Sequence, residues 1–139
     1  MAYFLEALIT RGNWLSAVQL PSCARIVPLL QDVFLVPIAD ELLGEEVEKP
    51  ATALPPSFEA LARRLSLRGP VAYVSAGFFG GHGGQTSCIW LNEKLILGPL
   101  RELGAINQAL RRLGVEKNGA HDEFDAVGLG RHRHTEDWQ

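Results

Sequence analysis

The feature that most constrains the fold is a pair of short apolar runs separated by a glycine-dense connection. Val71 to Phe79 and Gln85 to Leu91 are rich in β-branched and aromatic residues and have the length of buried strands. Between them stand residues 80 to 84, GGHGG, which are too few to form a crossover helix. The two runs are therefore predicted to pair as an antiparallel hairpin.

Apolar spacing predicts one helix before this hairpin and one after it. The first covers about residues 58 to 68 and is followed by a Gly-Pro stop; its apolar positions are Phe58, Leu61 and Leu65. The second covers about residues 103 to 113 and ends at Gly114; its apolar positions are Leu103, Ile106, Leu110 and Leu113. Asn107 lies beside this second apolar stripe and is predicted to be a surface residue.

Further strands complete the predicted sheet. Residues 95 to 97 form a third sequential strand after a turn, and Asp32 to Pro37 form another that the proline closes. Tyr3 to Thr10 is either a strand or a short helix, because its periodicity favours neither. His121 to Gly128 is predicted to be one short helical turn. The predicted class is α+β, an antiparallel sheet of about four or five strands with two main helices packed on a face.

Length and charge limit the classes of function. The chain has 139 residues, 47% of them hydrophobic, which fits a single domain over 1–139. A net charge of −3 does not favour nucleic-acid binding by bulk electrostatics. The opening residues lack the basic segment of a secretion signal, and no apolar run is long enough to span a membrane, so a cytoplasmic location is expected. Cys23 and Cys88 are too few for a disulfide framework and are expected to be buried thiols.

The glycine-dense connection is a candidate binding site. Glycine reaches positive φ cheaply and lets another chain approach the backbone closely, although a bulged hairpin turn would need the same residues for purely structural reasons. A phosphate cradle is rejected, because a strand and not a helix follows and no lysine is near. The candidate binding residues here are Gly80, Gly81, His82, Gly83, Gly84 and Gln85.

A second candidate surface is strongly acidic. Residues 40 to 48, DELLGEEVE, hold five carboxylates in nine positions. Solvation of an exposed helix or loop explains such a run, whereas the functional interpretation is a docking face for a basic partner. The residues of this candidate docking face are Asp40, Glu41, Glu45 and Glu46.

Metal binding and catalysis have weaker support in the sequence. All four histidines fall in predicted loops or the tail, and the weak metal candidates are therefore His82, His121, His132 and His134. Their spacing matches no compact zinc motif, and no cofactor is expected. An acid–base pair would join His82 or His121 to Asp122, Glu123 or Asp125, but no nucleophile elbow accompanies them.

The C-terminal half carries motifs that resemble a known group of proteins. They are the glycine segment with Gln85, Ile106-Asn107-x-Ala109-Leu110, Leu113-Gly114-Val115, Asp122-Glu123-Phe124-Asp125 and Gly128-Leu129-Gly130-Arg131. Over about residues 70 to 135 the chain resembles small uncharacterised bacterial proteins, some of which look like the immunity partners encoded beside secreted toxins. The resemblance implies a protein-binding role and transfers no catalytic residue. It adds Asp122, Glu123, Asp125 and Arg131 to the candidate binding residues.

The leading hypothesis is a cytoplasmic, non-catalytic protein-binding module, with another protein as its partner and an immunity-type role in neutralising a toxin. The alternative hypothesis is a small enzyme or metal- or ligand-binding domain, in which His82, Gln85, His121 and Asp122 line a pocket. A third is a structural subunit that assembles through an exposed strand. The sequence does not define an oligomeric state.

Overall fold

The computed structural model describes residues 3–12, 14, 25–37, 56–79, 82–102, 104–120 and 122–129. Within these ranges the strands, in chain order, are β1 (Tyr3–Arg11), β2 (Val27–Pro28), β3 (Val33–Pro37), β4 (Val71–Phe79), β5 (His82–Leu91) and β6 (Lys94–Arg101). The helices are α1 (Pro56–Leu65), α2 (Ala105–Arg112) and α3 (Glu123–Val127). None of these helices is long and apolar enough to cross a lipid bilayer.

The strands form one antiparallel sheet in the order β2-β3-β1-β4-β5-β6. This confirms the predicted α+β class with an antiparallel sheet, but the described sheet has six strands and not four or five. β1 resolves the ambiguous N-terminal segment as a strand. It is paired on both sides and buried on both faces, so its sequence lacks the alternation that marks a half-exposed strand.

Alternate residues of the central strands feed two separate apolar clusters. Leu5, Ala7 and Ile9 of β1 pack with Ile106 and Leu110 of α2, and this cluster also takes in Val127 of α3 and the following Leu129. We call this side of the sheet the two-helix face. Leu8 of β1 points the other way and packs with Leu61 and Leu65 of α1, on the one-helix face. The period-2 geometry of the strands thus divides the core into two layers.

The two main helices therefore lie on opposite faces, and the prediction that they share one face was wrong. The reason is visible in β4, where Ala72 and Val74 belong to one cluster and Val71 and Tyr73 to the other. A strand that is apolar on both sides needs a cover on both sides. The apolar stripes are confirmed at Leu61 and Leu65 of α1 and at Ile106, Leu110 and Leu113 in and after α2, which are all buried. Leu103 and the side chain of Phe58 lie outside what the structure describes.

The predicted hairpin is confirmed, but its connection is shorter than predicted. β5 begins at His82, so that His82 pairs with Phe79, Gly83 with Phe78 and Gly84 with Gly77. Three of the five residues assigned to the loop are thus part of a strand. Cys88 in this strand is a buried thiol, as predicted, whereas Cys23 lies outside the described residues.

Candidate functional site

A row of polar side chains crosses four strands near the β4–β5 turn. Glu6 of β1 is the partner of Ser75 in β4, Ser75 is the partner of Thr86 in β5, and Thr86 is the partner of Arg101 in β6. Direct partners in neighbouring strands share a face, and the hydrogen bond from Tyr73 to Glu6 places the row on the one-helix face. At about 4.8 Å per strand spacing, the row is about 14 Å long, with a carboxylate at one end and a guanidinium at the other.

Next to this row, towards the turn, two glycines face each other across the hairpin. Gly77 follows Ser75 by two positions in β4, Gly84 precedes Thr86 by two positions in β5, and the two glycines are direct partners. This part of the sheet therefore presents main chain instead of side chains. We call the whole area the hairpin face, which comprises Glu6, Ser75, Gly77, Gly84, Thr86 and Arg101.

Gly84 has neither of the usual structural reasons for being glycine. Its φ is not positive, so an ordinary L residue fits its backbone. A Cβ built on Gly84 meets nothing within 4 Å, so no neighbour in the described part of the chain requires the space. The residue is also exposed. The missing side chain thus leaves an open approach to the β5 main chain from outside the molecule.

Tyr73 connects the hairpin face to the core beneath α1. Its hydroxyl donates a hydrogen bond of 2.7 Å to Oε2 of Glu6, while its ring packs in the cluster that contains Leu61 and Leu65. Burial raises the pKa of Tyr73 to about 12, although a hydrogen bond with Ser75 opposes the rise. The hydroxyl therefore remains protonated over the physiological range and holds the carboxylate of Glu6 in place.

Gln85 serves the opposite face of the sheet. Its Oε1 accepts a hydrogen bond of 3.0 Å from the backbone N–H of Ile106, in the first turn of α2. The N-cap residue, Gly104, offers no side-chain cap, so Gln85 satisfies one of the helix's unpaired donors. Ser87 donates a 2.8 Å hydrogen bond to the carbonyl of Ala105. These two strand residues dock the start of α2 on the sheet.

The acidic turn at residues 122 to 125 is held by Asn107. Asp122 is the N-cap of α3: its Oδ1 accepts from the backbone N–H of Asp125 at 2.9 Å, and its Oδ2 accepts from Asn107 Nδ2 at 3.2 Å. Oδ1 of Asn107 accepts in turn from the backbone N–H of Phe124 at 2.8 Å. Asn107, predicted to be a surface residue, is half-buried, and both ends of its amide bind the start of α3.

Glu123 is the most unusual carboxylate in the described part of the chain. Its side chain is 2% exposed, and its Oε1 lies 3.0 Å from Nε of Arg111, whose side chain is 60% exposed. Its Oε2 has no hydrogen-bond partner among the described residues. Asp125, in contrast, is exposed. The acidic turn is thus anchored to α2 by one amide and one ion pair.

Several predicted site residues lie outside the described residues. They are Gly80, Gly81 and Arg131, the acidic docking face of Asp40, Glu41, Glu45 and Glu46, and the histidines His121, His132 and His134; of His82 only the backbone is described. In the ranges that the structure covers, no group of three or more His, Cys, Asp or Glu side chains is arranged to hold a metal ion. Gln85 and Asp122 both bond to the start of α2, at Ile106 and Asn107.

Sequence reasoning missed most of the hairpin face. Glu6, Ser75, Thr86 and Arg101 come from four different strands, and only the register brings them together. The available signal was the period-2 spacing of Ser75 with Gly77 and of Gly84 with Thr86, which places small and polar residues on one side of a hairpin.

Comparisons of the chain with protein-family models, with curated protein sequences and with solved structures gave no significant match.

Proposed function

We propose that this chain is a non-catalytic, cytoplasmic protein-binding module that neutralises a toxin, and that the partner docks on the hairpin face. The observation that carries the proposal concerns Gly84. A Cβ at this position would meet nothing within 4 Å, and the backbone φ does not require glycine. A position where any side chain would fit, but none is present, suits a surface that another chain must approach closely.

The surroundings of Gly84 suit recognition of a polypeptide. Ser75 and Thr86 offer hydroxyl groups that both donate and accept hydrogen bonds, and Glu6 and Arg101 place opposite charges at the two ends of the row. A polar, side-chain-poor centre with charged ends favours orientation and specificity of a partner. On the opposite face of the sheet the hairpin packs against α2, which supports this surface from behind and preorganises it.

The side-chain oxygens of two motif residues, Gln85 and Asp122, have structural roles in the fold. Oε1 of Gln85 and both carboxylate oxygens of Asp122 accept hydrogen bonds that hold α2 and α3. A binding role for this region is therefore better placed on the hairpin face than on these atoms. The acidic segment at residues 40 to 48 remains a predicted steering surface for a basic partner.

The test is protection from the protein encoded beside this chain's gene. Cells that make the neighbouring gene product should stop growing, and co-expression of this chain should restore growth and yield a stable complex. Gly84→Tyr should weaken the complex at least about tenfold and abolish protection, because a large side chain blocks approach to the main chain. Tyrosine is a good strand residue, so the variant should remain folded.

The matched control is Lys117→Tyr, an exposed position in the loop after α2 that belongs to no proposed binding surface. It should protect as well as the original chain. A harmless or non-binding neighbour, or full protection by Gly84→Tyr with an unchanged dissociation constant, would contradict the proposal.

A further inference from the structure

A second surface lies at the other end of the sheet, where the β5–β6 turn meets the end of α1. The backbone N–H of Asn92 donates to the carbonyl of Ser66 at 2.9 Å, and the backbone N–H of Glu93 donates to the Ser66 hydroxyl at 2.8 Å. Nη1 of Arg63 donates to the carbonyl of Glu93 at 2.6 Å. These bonds fix the turn after α1, residues 66 to 68, beside the first residues of β6.

The residues that follow these anchors are apolar and exposed. Leu67 is 58% exposed, Leu95 is 43% exposed and Ile96 is 40% exposed. They make up three of the four strongly exposed large apolar side chains in the described part of the chain. Single exposed leucines are ordinary, but three that follow Ser66 or Glu93 within three residues favour contact with another molecule at this end of the sheet.

The same two segments carry an excess of cations although the chain as a whole is acidic. Residues 63–68 and 92–96 contain Arg63, Arg64, Arg68 and Lys94 against the single carboxylate of Glu93, a local charge of 4 − 1 = +3. The whole chain carries −3, so the remainder carries −3 − 3 = −6. Arg64, Arg68 and Lys94 are exposed. We call Arg64, Leu67, Arg68, Lys94, Leu95 and Ile96 the basic edge.

The basic edge also presents main chain. β6 is an outer strand of the described sheet, with β5 on one side only. Its pairing with β5 shifts register between Leu95 and Leu97 and again between Leu97 and Leu100, and Pro99 lacks the N–H that a further strand would need. Residues 94 to 97, which precede Gly98 and Pro99 and each keep a backbone N–H, are therefore the part of β6 that can pair with another strand.

We infer that the basic edge binds an extended acidic segment of a partner protein, which adds as a strand along residues 94 to 97. Carboxylates of the segment meet Arg64, Arg68 and Lys94, its apolar residues contact Leu67, Leu95 and Ile96, and its main chain pairs with β6. An anionic membrane would satisfy the charges but not the strand edge. This surface is distinct from the hairpin face and goes beyond the function proposed above.

The experiment uses a peptide of alternating glutamate and valine as the probe, with amide chemical shifts of the full chain as the readout. Shifts should concentrate at residues 67–68 and 94–97, and binding should weaken as salt is added. Arg68→Glu with Lys94→Glu should weaken binding at least about tenfold. The matched control, Arg112→Glu with Lys117→Glu, makes the same charge change at exposed sites elsewhere and should bind as the original chain. Gly84→Tyr should also bind unchanged.

Two further peptides test the mode of binding: one with lysine in place of glutamate, and one with every second backbone nitrogen methylated. Neither should bind, because the first has the wrong charge and the second cannot pair with a strand. Equal binding of either peptide, shifts elsewhere on the chain, or no binding of the acidic peptide at millimolar concentration would overturn the inference. So would a dimer that the Arg68→Glu, Lys94→Glu variant dissociates, or binding to phosphatidylserine-rich vesicles without peptide binding.

Discussion

At the scale of single residues, two glycines of neighbouring strands have opposite roles. Gly98 in β6 has a φ of +82°, and a Cβ there would collide with the carbonyl oxygen of Ser87 and lie 2.8 Å from the backbone nitrogen of Leu100. Its glycine is required by the fold. Gly84 in β5 has no such neighbour and no positive φ. The same residue type thus serves internal packing at one position and external access at the other.

This contrast predicts different costs for the same substitution. Gly98→Ala should lower the free energy of unfolding by at least about 2 kcal/mol, because the new methyl group meets rigid backbone at a strained φ. Gly84→Ala should change it by less than about 0.5 kcal/mol or stabilise the chain slightly, since alanine restricts the unfolded state. Urea unfolding of both variants measures the difference. Equal costs would show that the space around the two glycines is equivalent.

At the scale of elements, α2 and α3 are too short to be stable on their own. α2 has eight residues and α3 has five, so both depend on contacts outside the helix. Gln85 caps the start of α2 from the sheet, and Asn107 of α2 holds the start of α3. The motif residues at positions 85, 107 and 122 therefore form a chain of side-chain bonds from the sheet to the last described helix.

Removing the middle of this chain should loosen α3. Asn107→Ala deletes the hydrogen bonds with Asp122 and Phe124, and should lower the free energy of unfolding by about 1 to 3 kcal/mol. Gln108→Ala, at the next position, deletes one exposed bond to Glu102 and should cost less than about 0.5 kcal/mol. Hydrogen exchange of the α3 amides should rise only in the first variant. Unchanged exchange would assign the packing of α3 to its apolar contacts alone.

The buried carboxylate of Glu123 predicts a second effect between the same helices. Arg111→Ala leaves this carboxylate without its cation and should cost about 1 to 3 kcal/mol. Arg112→Ala, at the next and exposed position, should cost less than about 0.5 kcal/mol. Adding Glu123→Gln to Arg111→Ala should recover part of the loss, because it removes the unpaired charge. Additive losses in this cycle, measured by urea unfolding, would rule out a coupled pair.

At the scale of the whole molecule, the sequence predicted elements better than their arrangement. The hairpin, the described part of the apolar stripes of α1 and α2, and the short helical turn that ends at Gly128 follow from local patterns and are confirmed. The faces on which the helices pack depend on contacts between distant segments, which periodicity does not encode. For the same reason the glycines were recognised as candidates, whereas the polar row from Glu6 to Arg101 required the register of four strands.

The raised pKa of Tyr73 predicts how the stability of the whole fold depends on alkaline pH. The ordinary pKa is 10.0 and the folded-state pKa is about 12, so the unfolded chain loses the proton first as pH rises. The contribution is fully present below pH 10 and is lost between pH 10 and about 12. Tyr73→Phe should lose less stability over this window. It should also be about 1 kcal/mol less stable at neutral pH, because the bond to Glu6 is gone.

Urea unfolding at several pH values across this window checks the prediction, and Glu6→Gln serves as the control. That variant keeps the phenol and should retain the alkaline loss of stability. Parallel pH profiles for the original chain and Tyr73→Phe would assign the alkaline loss to other groups.

The position of β1 has a consequence for synthesis of the chain. β1 leaves the ribosome before the other described strands, and it occupies the interior of the sheet between β3 and β4. It can acquire one neighbour early, but its other flank stays open until the second half of the chain has been translated. During this time the unpaired edge of β1 can associate with other chains. We therefore expect chaperones to bind the nascent polypeptide during translation.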